Sequence, residues 1–110
     1  MTELSLREPT FLILTALAAG PQHGYGIMTD VSEISGGRVR LRAGTLYAVL
    51  NRLTTERLAE ADREEIVDGR LRRYYRLTPH GAQRLEVEVD RMRSNSAVAA
   101  RRLRLLGRTA

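Results

Sequence analysis

The last third of the chain carries a heptad pattern that one small domain cannot bury by itself. Thr78-Pro79 supplies an N-cap residue and a proline suited to the first helical turn. Apolar and small side chains then recur at alternating spacings of four and three residues, at Leu85, Val89, Met92, Ser96, Ala99, Leu103 and Leu106. The pattern predicts a helix from about Pro79 to Leu106 that pairs with the same helix of a second copy. The alternative is a helix folded back on its own domain.

The composition excludes several classes of protein. The chain has 110 residues, which suits one domain, and it has no cysteine. Disulfide scaffolds, cysteine-based zinc sites and thiol catalysis are therefore excluded. His23 and His80 are too few for a metal site, and no cofactor is expected. There is no apolar run of the ~20 residues that cross a bilayer and no signal-peptide pattern. We therefore expect a cytoplasmic protein that is not bound to a membrane.

The positive charge is unevenly placed along the chain. The net charge is +5, and all 18 basic residues are arginines, whose planar fork suits phosphate and guanine. Residues 1–37 are net acidic, whereas basic residues run from Arg38 to Arg76 and cluster at 70–76. A clustered basic face indicates a nucleic-acid partner. The alternative is a solvated, arginine-rich surface.

Two helices and a short strand are predicted in the first 42 residues. An almost entirely apolar run over 10–19, after Pro9 and before Gly20-Pro21, indicates a central helix. A second helix follows the turn or helix start at 23–26 and ends at Gly36-Gly37, with Ile27, Val31 and Ile34 on one stripe. The alternation of Val39 and Leu41 with arginines predicts a very short strand.

Residues 43–56 form the most regular amphipathic pattern in the chain. The apolar side fits helical spacing, with Leu46, Val49, Leu50 and Leu53. The opposite side is small, polar and uncharged at its centre, with Gly44, Ala48, Asn51 and Thr55, flanked by Tyr47 and Arg52. Small residues let a helix enter a groove, where Asn and Arg side chains can hydrogen-bond base edges.

A β-hairpin is predicted directly after this third helix. Residues 58–63 alternate as a strand, Asp68-Gly69 is a turn signal, and 71–77 read as the return strand. Three helices followed by a hairpin predict a mainly α (α+β) fold, a winged helix-turn-helix with a long C-terminal dimerisation helix. Residues 1–78 would form the DNA-binding domain, and residues 79–110 the dimerisation helix and tail.

Four sequence motifs occur together in a characteristic order and spacing. They are Gly20-Pro21-Gln22-His23-Gly24-Tyr25, Gly44-Thr45-Leu46-Tyr47, Leu50-Asn51-Arg52-Leu53, and the segment from Arg72 to Gly81, RRYYRLTPHG. In these motifs the chain resembles the PadR family of transcriptional regulators over roughly residues 9 to 106. The resemblance implies a homodimer that binds palindromic operator DNA and usually represses, of the short subtype with one C-terminal helix, and it leaves room for a small-molecule effector.

The resemblance also implies roles for individual residues. Tyr25, Thr45 and Tyr47 would contact the DNA backbone, and Gly44 would start the recognition helix. Together with the pattern analysis, this gives a predicted set of DNA-binding residues: Tyr25, Arg42, Gly44, Thr45, Tyr47, Ala48, Asn51, Arg52, Arg70, Arg72 and Arg73. Because Arg72 and Arg73 are consecutive in a strand, they cannot point the same way. Tyr75 is expected in the core.

The chain departs from the family pattern at three places. Ala43 and Ala48 stand where members often carry proline, and Arg57 stands where they carry glycine after the recognition helix, which puts that turn in doubt. The acidic pair Glu64-Glu65 would repel phosphate, so only the arginines of the wing would touch DNA. A rival hypothesis is a winged helix that binds another protein. An enzyme is not expected, because no catalytic set of residues has a credible spacing.

Overall fold

The computed structural model describes residues 6–107, and in that range the chain forms four helices and a three-stranded antiparallel sheet. The order of elements is α1 (Glu8–Ala18), β1 (Gln22–His23), α2 (Gly24–Ile34), α3 (Ala43–Thr55), β2 (Ala59–Val67), β3 (Arg70–Leu77) and α4 (Pro79–Leu105). In the sheet β3 lies between β1 and β2. This is the predicted α+β fold, three helices, a hairpin and a long final helix.

The helix α1 lies at the centre of the core, as its apolar sequence predicts. Ile13, Leu14 and Ala16 are inaccessible to solvent, and α1 packs against α2, α4 and β3. The buried side of α3 and Tyr75 from β3 complete the same core. Truncating one such fully buried leucine or isoleucine to alanine typically costs about 2–5 kcal/mol of stability.

The turn between β2 and β3 has the predicted two residues. Asp68 and Gly69 both have positive φ angles, 51° and 74°, as a type I′ turn requires. The strand β2 is longer than predicted, because it continues past Arg63 to Val67. Glu64 and Glu65 therefore lie in the ladder, opposite Arg73 and Arg72.

The predicted strand around Val39 and Leu41 is wrong. Residues 38–42 are not in a strand, and the third strand of the sheet is instead Gln22–His23, which pairs with Tyr75 and Tyr74. Val39 and Leu41 are half-buried and pack against the core. Their alternation therefore reflects one buried side of a loop. A strand would also need a neighbour to receive its hydrogen bonds, and the alternation carries no information about that.

The end of α3 keeps its turn although glycine is replaced. Arg57 has a φ of 61°, in the left-handed region that usually belongs to glycine. The Leu58 N–H donates to the Leu53 carbonyl at 2.8 Å, and the Arg57 N–H donates to the Thr54 carbonyl at 3.1 Å. These two bonds form a Schellman motif, and Leu53 and Leu58, which flank it, are both buried in the core.

The helix α4 begins at a tightly built junction with the hairpin. The Thr78 hydroxyl accepts a hydrogen bond from the Gly81 N–H at 2.9 Å and donates one to the Arg57 carbonyl at 2.6 Å. A Cβ at position 81 would collide with the Leu58 carbonyl. The position therefore excludes every side chain.

Only the first half of α4 lies on the domain. With 27 residues the helix is about 40 Å long. Leu85 packs against the core, whereas Met92 is 47% exposed and Leu103 is 42% exposed. Within residues 6–107 no helix is both long and apolar enough to cross a membrane.

Candidate nucleic-acid interface

The helix α3 separates its two sides as the sequence predicts. Leu46, Val49, Leu50 and Leu53 are buried. The other side lies in solvent, with exposed Gly44, Thr45, Ala48, Asn51 and Thr55. At its centre this side has neither a charge nor a large side chain, so its backbone can approach another surface closely.

The side chain of Tyr47 joins α3 to the start of α2. Gly24, the first residue of α2, is buried, and a Cβ there would overlap the Tyr47 hydroxyl and lie 3.0 Å from Cζ. Glycine at position 24 therefore lets the tyrosine lie across the N-terminus of α2. Tyr47 keeps 45% of its surface exposed, and the neighbouring Tyr25 keeps 76%.

His23 caps the N-terminus of α2. Its Nδ1 accepts a hydrogen bond from the Gly26 N–H at 3.3 Å, which requires a ring that is unprotonated at Nδ1. Partial burial, and then the charge of Arg72, lower the pKa of His23 below its usual value. The ring also lies edge-on to Tyr74, with centroids 5.3 Å apart. A neutral cap keeps the first turn of α2 ordered, and the helix dipole there favours anions.

A shallow groove runs from the start of α2 to the hairpin. It is lined by His23, Gly24, Tyr25, Tyr47 and residues 70–73. The structure thus brings together five of the predicted DNA-binding residues, namely Tyr25, Tyr47, Arg70, Arg72 and Arg73. Phenolic hydroxyls, backbone N–H groups and guanidinium groups are the donors that proteins use towards phosphate.

The arginines of the hairpin differ in their partners. Arg73 and Arg72 lie on opposite faces of β3, and the Arg73 Nε donates to Glu64 Oε2 at 3.0 Å. This hydrogen bond raises the pKa of Arg73 above its usual value. Arg76 bridges Glu60 and Asp62. Among the described residues, no ion pair involves Arg70 or Arg72.

Two further predicted residues lie at the ends of the α3 surface. Arg42 is the exposed residue that precedes α3. Arg52 is turned back towards α1, where its Nη2 donates to the Thr10 hydroxyl at 3.0 Å. Arg52 thus holds α3 against α1, a role that the helical pattern does not reveal.

Two exposed apolar residues near the turn of the hairpin were not predicted from the sequence. Ile66 and Leu71 lie directly opposite each other, and they are 75% and 61% exposed. The Asp68-Gly69 turn could have revealed the pair, because a two-residue turn fixes the register of both strands. Within residues 6–107 there is also no cluster of acidic or histidine side chains that could hold a metal ion.

The geometry of the helices and the hairpin defines the class of protein. A helix pair, α2 and α3, presents one small, polar helix face beside an antiparallel hairpin, which is a winged helix-turn-helix. The sequence matches the model of the transcriptional regulator PadR-like family over residues 13–87, and the chain belongs to that family. Members of this family are transcriptional regulators rather than enzymes.

Known proteins resemble the chain in both sequence and fold. The chain is 43% identical over 69 residues to a transcriptional regulator of Mycobacterium tuberculosis, covering 63% of this chain and 61% of that one. The crystal structure of a PadR family transcription regulator from Clostridium difficile is 26% identical, covers 86% of this chain and 96% of that one, and gives a TM-score of 0.71. Bacillus subtilis PadR, crystallised in complex with operator DNA, is 27% identical to this chain, with a TM-score of 0.67. The match covers 76% of this chain and 47% of the Bacillus subtilis protein. The chain spans less than two thirds of the length of the curated relatives it matches.

Proposed function

We propose that this chain is a transcriptional repressor that binds a palindromic DNA operator as a homodimer. The observation that carries the proposal is the outward face of α3, which is exposed, small and uncharged at its centre and stands beside a groove of hydroxyl and guanidinium donors. Bacillus subtilis PadR, which shares this fold, was crystallised with operator DNA. That likeness supports duplex DNA as the partner.

The third helix supplies sequence readout in this proposal. An α-helix fits the major groove, and Gly44 and Ala48 let its backbone approach the base pairs. Asn51 then reaches a base edge, for which adenine is the best match to a carboxamide. Arg42, just before the helix, reaches the adjacent phosphates.

The groove between α2 and the hairpin holds the DNA backbone. A phosphate beside the N-terminus of α2 meets its N–H groups and the hydroxyls of Tyr25 and Tyr47. Arg70 and Arg72 lie on the other side of the same groove. These contacts set the orientation of α3 on the duplex and make binding sensitive to salt.

The exposed half of α4 supplies the dimer contact. The predicted seam leaves the domain after half-buried Val89 and continues through Met92 to Leu106, which is 73% exposed. A second copy of α4 buries this stripe and places two α3 helices about 34 Å apart, one turn of DNA. Ser96 and Ala99 allow the two helices to approach closely at the middle of the seam.

Release from DNA follows if a ligand changes the spacing of the two DNA-binding domains. Such a small molecule binds more tightly to a dimer whose α3 helices are badly spaced than to a dimer whose helices fit the operator. The ratio of these two ligand affinities sets the limit on how far it lowers operator affinity. Phe11 is the single phenylalanine and there is no tryptophan. A site that stacks an aromatic inducer between two aromatic side chains is therefore disfavoured.

The proposal is tested by the binding of the purified chain to duplex DNA from its own upstream region. We expect tight binding that prefers this fragment over random duplex and weakens steeply between two salt concentrations. Asn51→Ala should reduce the preference for the fragment, whereas Arg42→Ala should weaken binding to both duplexes. Equal and weak binding of the unaltered chain to both duplexes would instead favour an interaction module for another protein.

A further inference from the structure

A buried carboxylate lies where α4 leaves the domain. Along α4, all of which the structure describes, Gly81 and Glu88 are the buried residues, and Glu88 is only 3% exposed. The proposed function assigns this carboxylate no contact with DNA and no place in the seam. A buried carboxylate lowers stability unless other groups neutralise it and donate hydrogen bonds to it. Its presence at this position therefore needs a reason.

Groups from two parts of the chain hold this carboxylate. The Leu6 N–H, just before α1, donates to Glu88 Oε1 at 3.4 Å. Arg91, which follows on α4, donates to Glu88 Oε2. The Nη1 atom of Arg84, one turn earlier, lies 3.7 Å from Oε1, and only 13% of the Arg84 side chain is exposed. The carboxylate therefore joins α4 to the start of α1, and both of its oxygens are engaged.

A carboxylate restricts the packing of a helix more than an apolar side chain does. Gly81, Leu85 and Glu88 recur at helical spacing on the side of α4 that lies on the domain. An apolar residue at position 88 would suit this side, but apolar contact has no preferred direction. A charge-assisted hydrogen bond needs its donor at a short distance and in a narrow range of directions. Few orientations of α4 therefore keep Glu88 within reach of Leu6 and both arginines.

The same contact leads from α4 towards α3. Leu6 leads into the first turn of α1, which contains Thr10. The buried Thr10 hydroxyl accepts a hydrogen bond from Arg52 of α3. The first turn of α1 thus lies between Glu88 and Arg52. A shift of α4 at Glu88 therefore changes the angle between α4 and α3.

The length of α4 amplifies any change of direction at this point. The helix continues from Glu88 to Leu105, a distance of about 26 Å. A rotation of about 10° at Glu88 therefore moves the far end of α4 by about 4–5 Å. One base-pair step of DNA is about 3.4 Å. In a dimer joined along α4, such a rotation changes the separation of the two α3 helices by on the order of one base pair.

We propose that Glu88 is a positioning residue, which fixes the direction of α4 on the domain and thereby sets the separation of operator half-sites that the dimer accepts. This inference rests on the proposed function. The carboxylate acts through the angle at which the paired α4 helices hold the two domains, and it makes no contact with DNA. Discrimination between half-site separations therefore depends on the charge of Glu88.

The test compares Glu88→Gln with the unaltered chain on operator duplexes whose half-site separation differs by one base pair at a time. Glutamine keeps the size of the side chain and an acceptor for the Leu6 N–H, but it loses the charge that holds the arginines. A change of one base pair should weaken binding of the unaltered chain at least about tenfold, and binding of the variant about threefold or less.

The ratio between duplexes separates positioning from folding. A variant that is merely less stable binds every duplex more weakly by the same factor, so its ratios stay unchanged. Asp90→Asn is the matched control, because it removes a negative charge at an exposed position of α4, and it should keep the ratios of the unaltered chain.

A second variant changes the partner of the carboxylate. The Arg91 side chain is 42% exposed, so Arg91→Gln disturbs the core less than a change at Glu88 does. It should relax the discrimination between half-site separations in the same direction as Glu88→Gln. If Glu88→Gln does not fold, Arg91→Gln decides whether the ion pair sets the separation.

The direction of α4 is also measurable without DNA. The chain has no cysteine, so Thr29→Cys, at an exposed position of α2, places one spin label in each copy. Double electron–electron resonance then gives the distance between the two labels of a dimer. The distribution of this distance should be narrow with Glu88 present and broader or shifted in Glu88→Gln.

The possible results distinguish this inference from the proposed function. If Glu88→Gln weakens binding to every duplex by the same factor, or keeps both the spacing preference and the label distance, Glu88 is not a positioning residue and the proposed function stands. If the unaltered chain does not prefer its operator to random duplex, or the labels show that no dimer forms, the proposed function fails and the role of Glu88 with it.

Discussion

The hydroxyl group of Tyr47 on α3 occupies the space into which a Cβ at Gly24 on α2 would project. The two helices of the helix-turn-helix therefore meet where the aromatic ring of Tyr47 packs directly on the backbone of Gly24, which has no side chain. The same ring faces the groove proposed to bind DNA. A change at position 24 should thus affect both stability and DNA binding.

Gly24→Ala should lower the free energy of unfolding by about 1–3 kcal/mol, because the ring must move or α2 must shift. DNA affinity should fall as well, because Tyr47 leaves the groove. Gly44→Ala is the matched control for stability, since a Cβ at Gly44 meets nothing within 4 Å. Chemical denaturation measures both variants, and equal stability of the two would contradict the account of Tyr47.

Arg57→Gly should stabilise the protein by about 1 kcal/mol, because the left-handed conformation is strained for every residue with a Cβ. Arg57→Ala is the control, and it should bring no such gain, since alanine also carries a Cβ. The measurement is the shift of the unfolding midpoint. A loss of stability in Arg57→Gly would mean that the arginine side chain, rather than the turn, matters at this position.

The stability of the protein should depend on the protonation of His23. The lowered pKa of this group in the folded state means that the unfolded chain binds its proton more readily. Stability from this source is fully present above the unfolded pKa of about 6.5 and is lost as the pH falls below it. Asparagine also caps helices but does not titrate, so His23→Asn should flatten the pH dependence of the unfolding free energy between pH 7 and 5. An unchanged dependence would contradict the neutral cap.

Met92→Glu should weaken dimerisation at least about tenfold, because the seam would then place two like charges in an apolar contact. Val87→Glu is the control, since Val87 is similarly exposed on α4 but lies off the seam. Analytical ultracentrifugation over a range of concentrations distinguishes the two variants. If Val87→Glu dissociates the protein and Met92→Glu does not, the dimer uses another face of α4.

The sequence predicts elements whose pattern depends on local spacing. The two sides of α3, the central α1 and the Asp68-Gly69 turn all follow from helical periodicity or from turn chemistry. The strand Gln22–His23 could not be predicted, because a segment of two residues is too short to show an alternating pattern. This strand exists only through its pairing with β3. A long-range partner, here β3, decides which short segment becomes a strand.

The sequence predicts which residue types form the candidate site, but it does not predict which side chains those residues pair with. A cluster of arginines at 70–76 suggested an exposed basic face, and the sequence does not show that Arg73 and Arg76 are held by carboxylates of the opposite strand. This pairing depends on the register across the turn and on the irregularity between Ala61 and Glu64. In the same way Arg52 contacts α1, which lies 42 positions away in sequence.

In the proposed complex the exposed face of α3 reads the DNA sequence, and two copies of the chain read it together. The most direct measurement is selection of duplexes from a random pool by the purified chain, repeated with Asn51→Ala. We expect an enriched inverted repeat with half-sites about one helical turn apart, and a loss of preference at one position of each half-site in the variant. Enrichment of no motif, or of the same motif with undiminished preference by the variant, would contradict it.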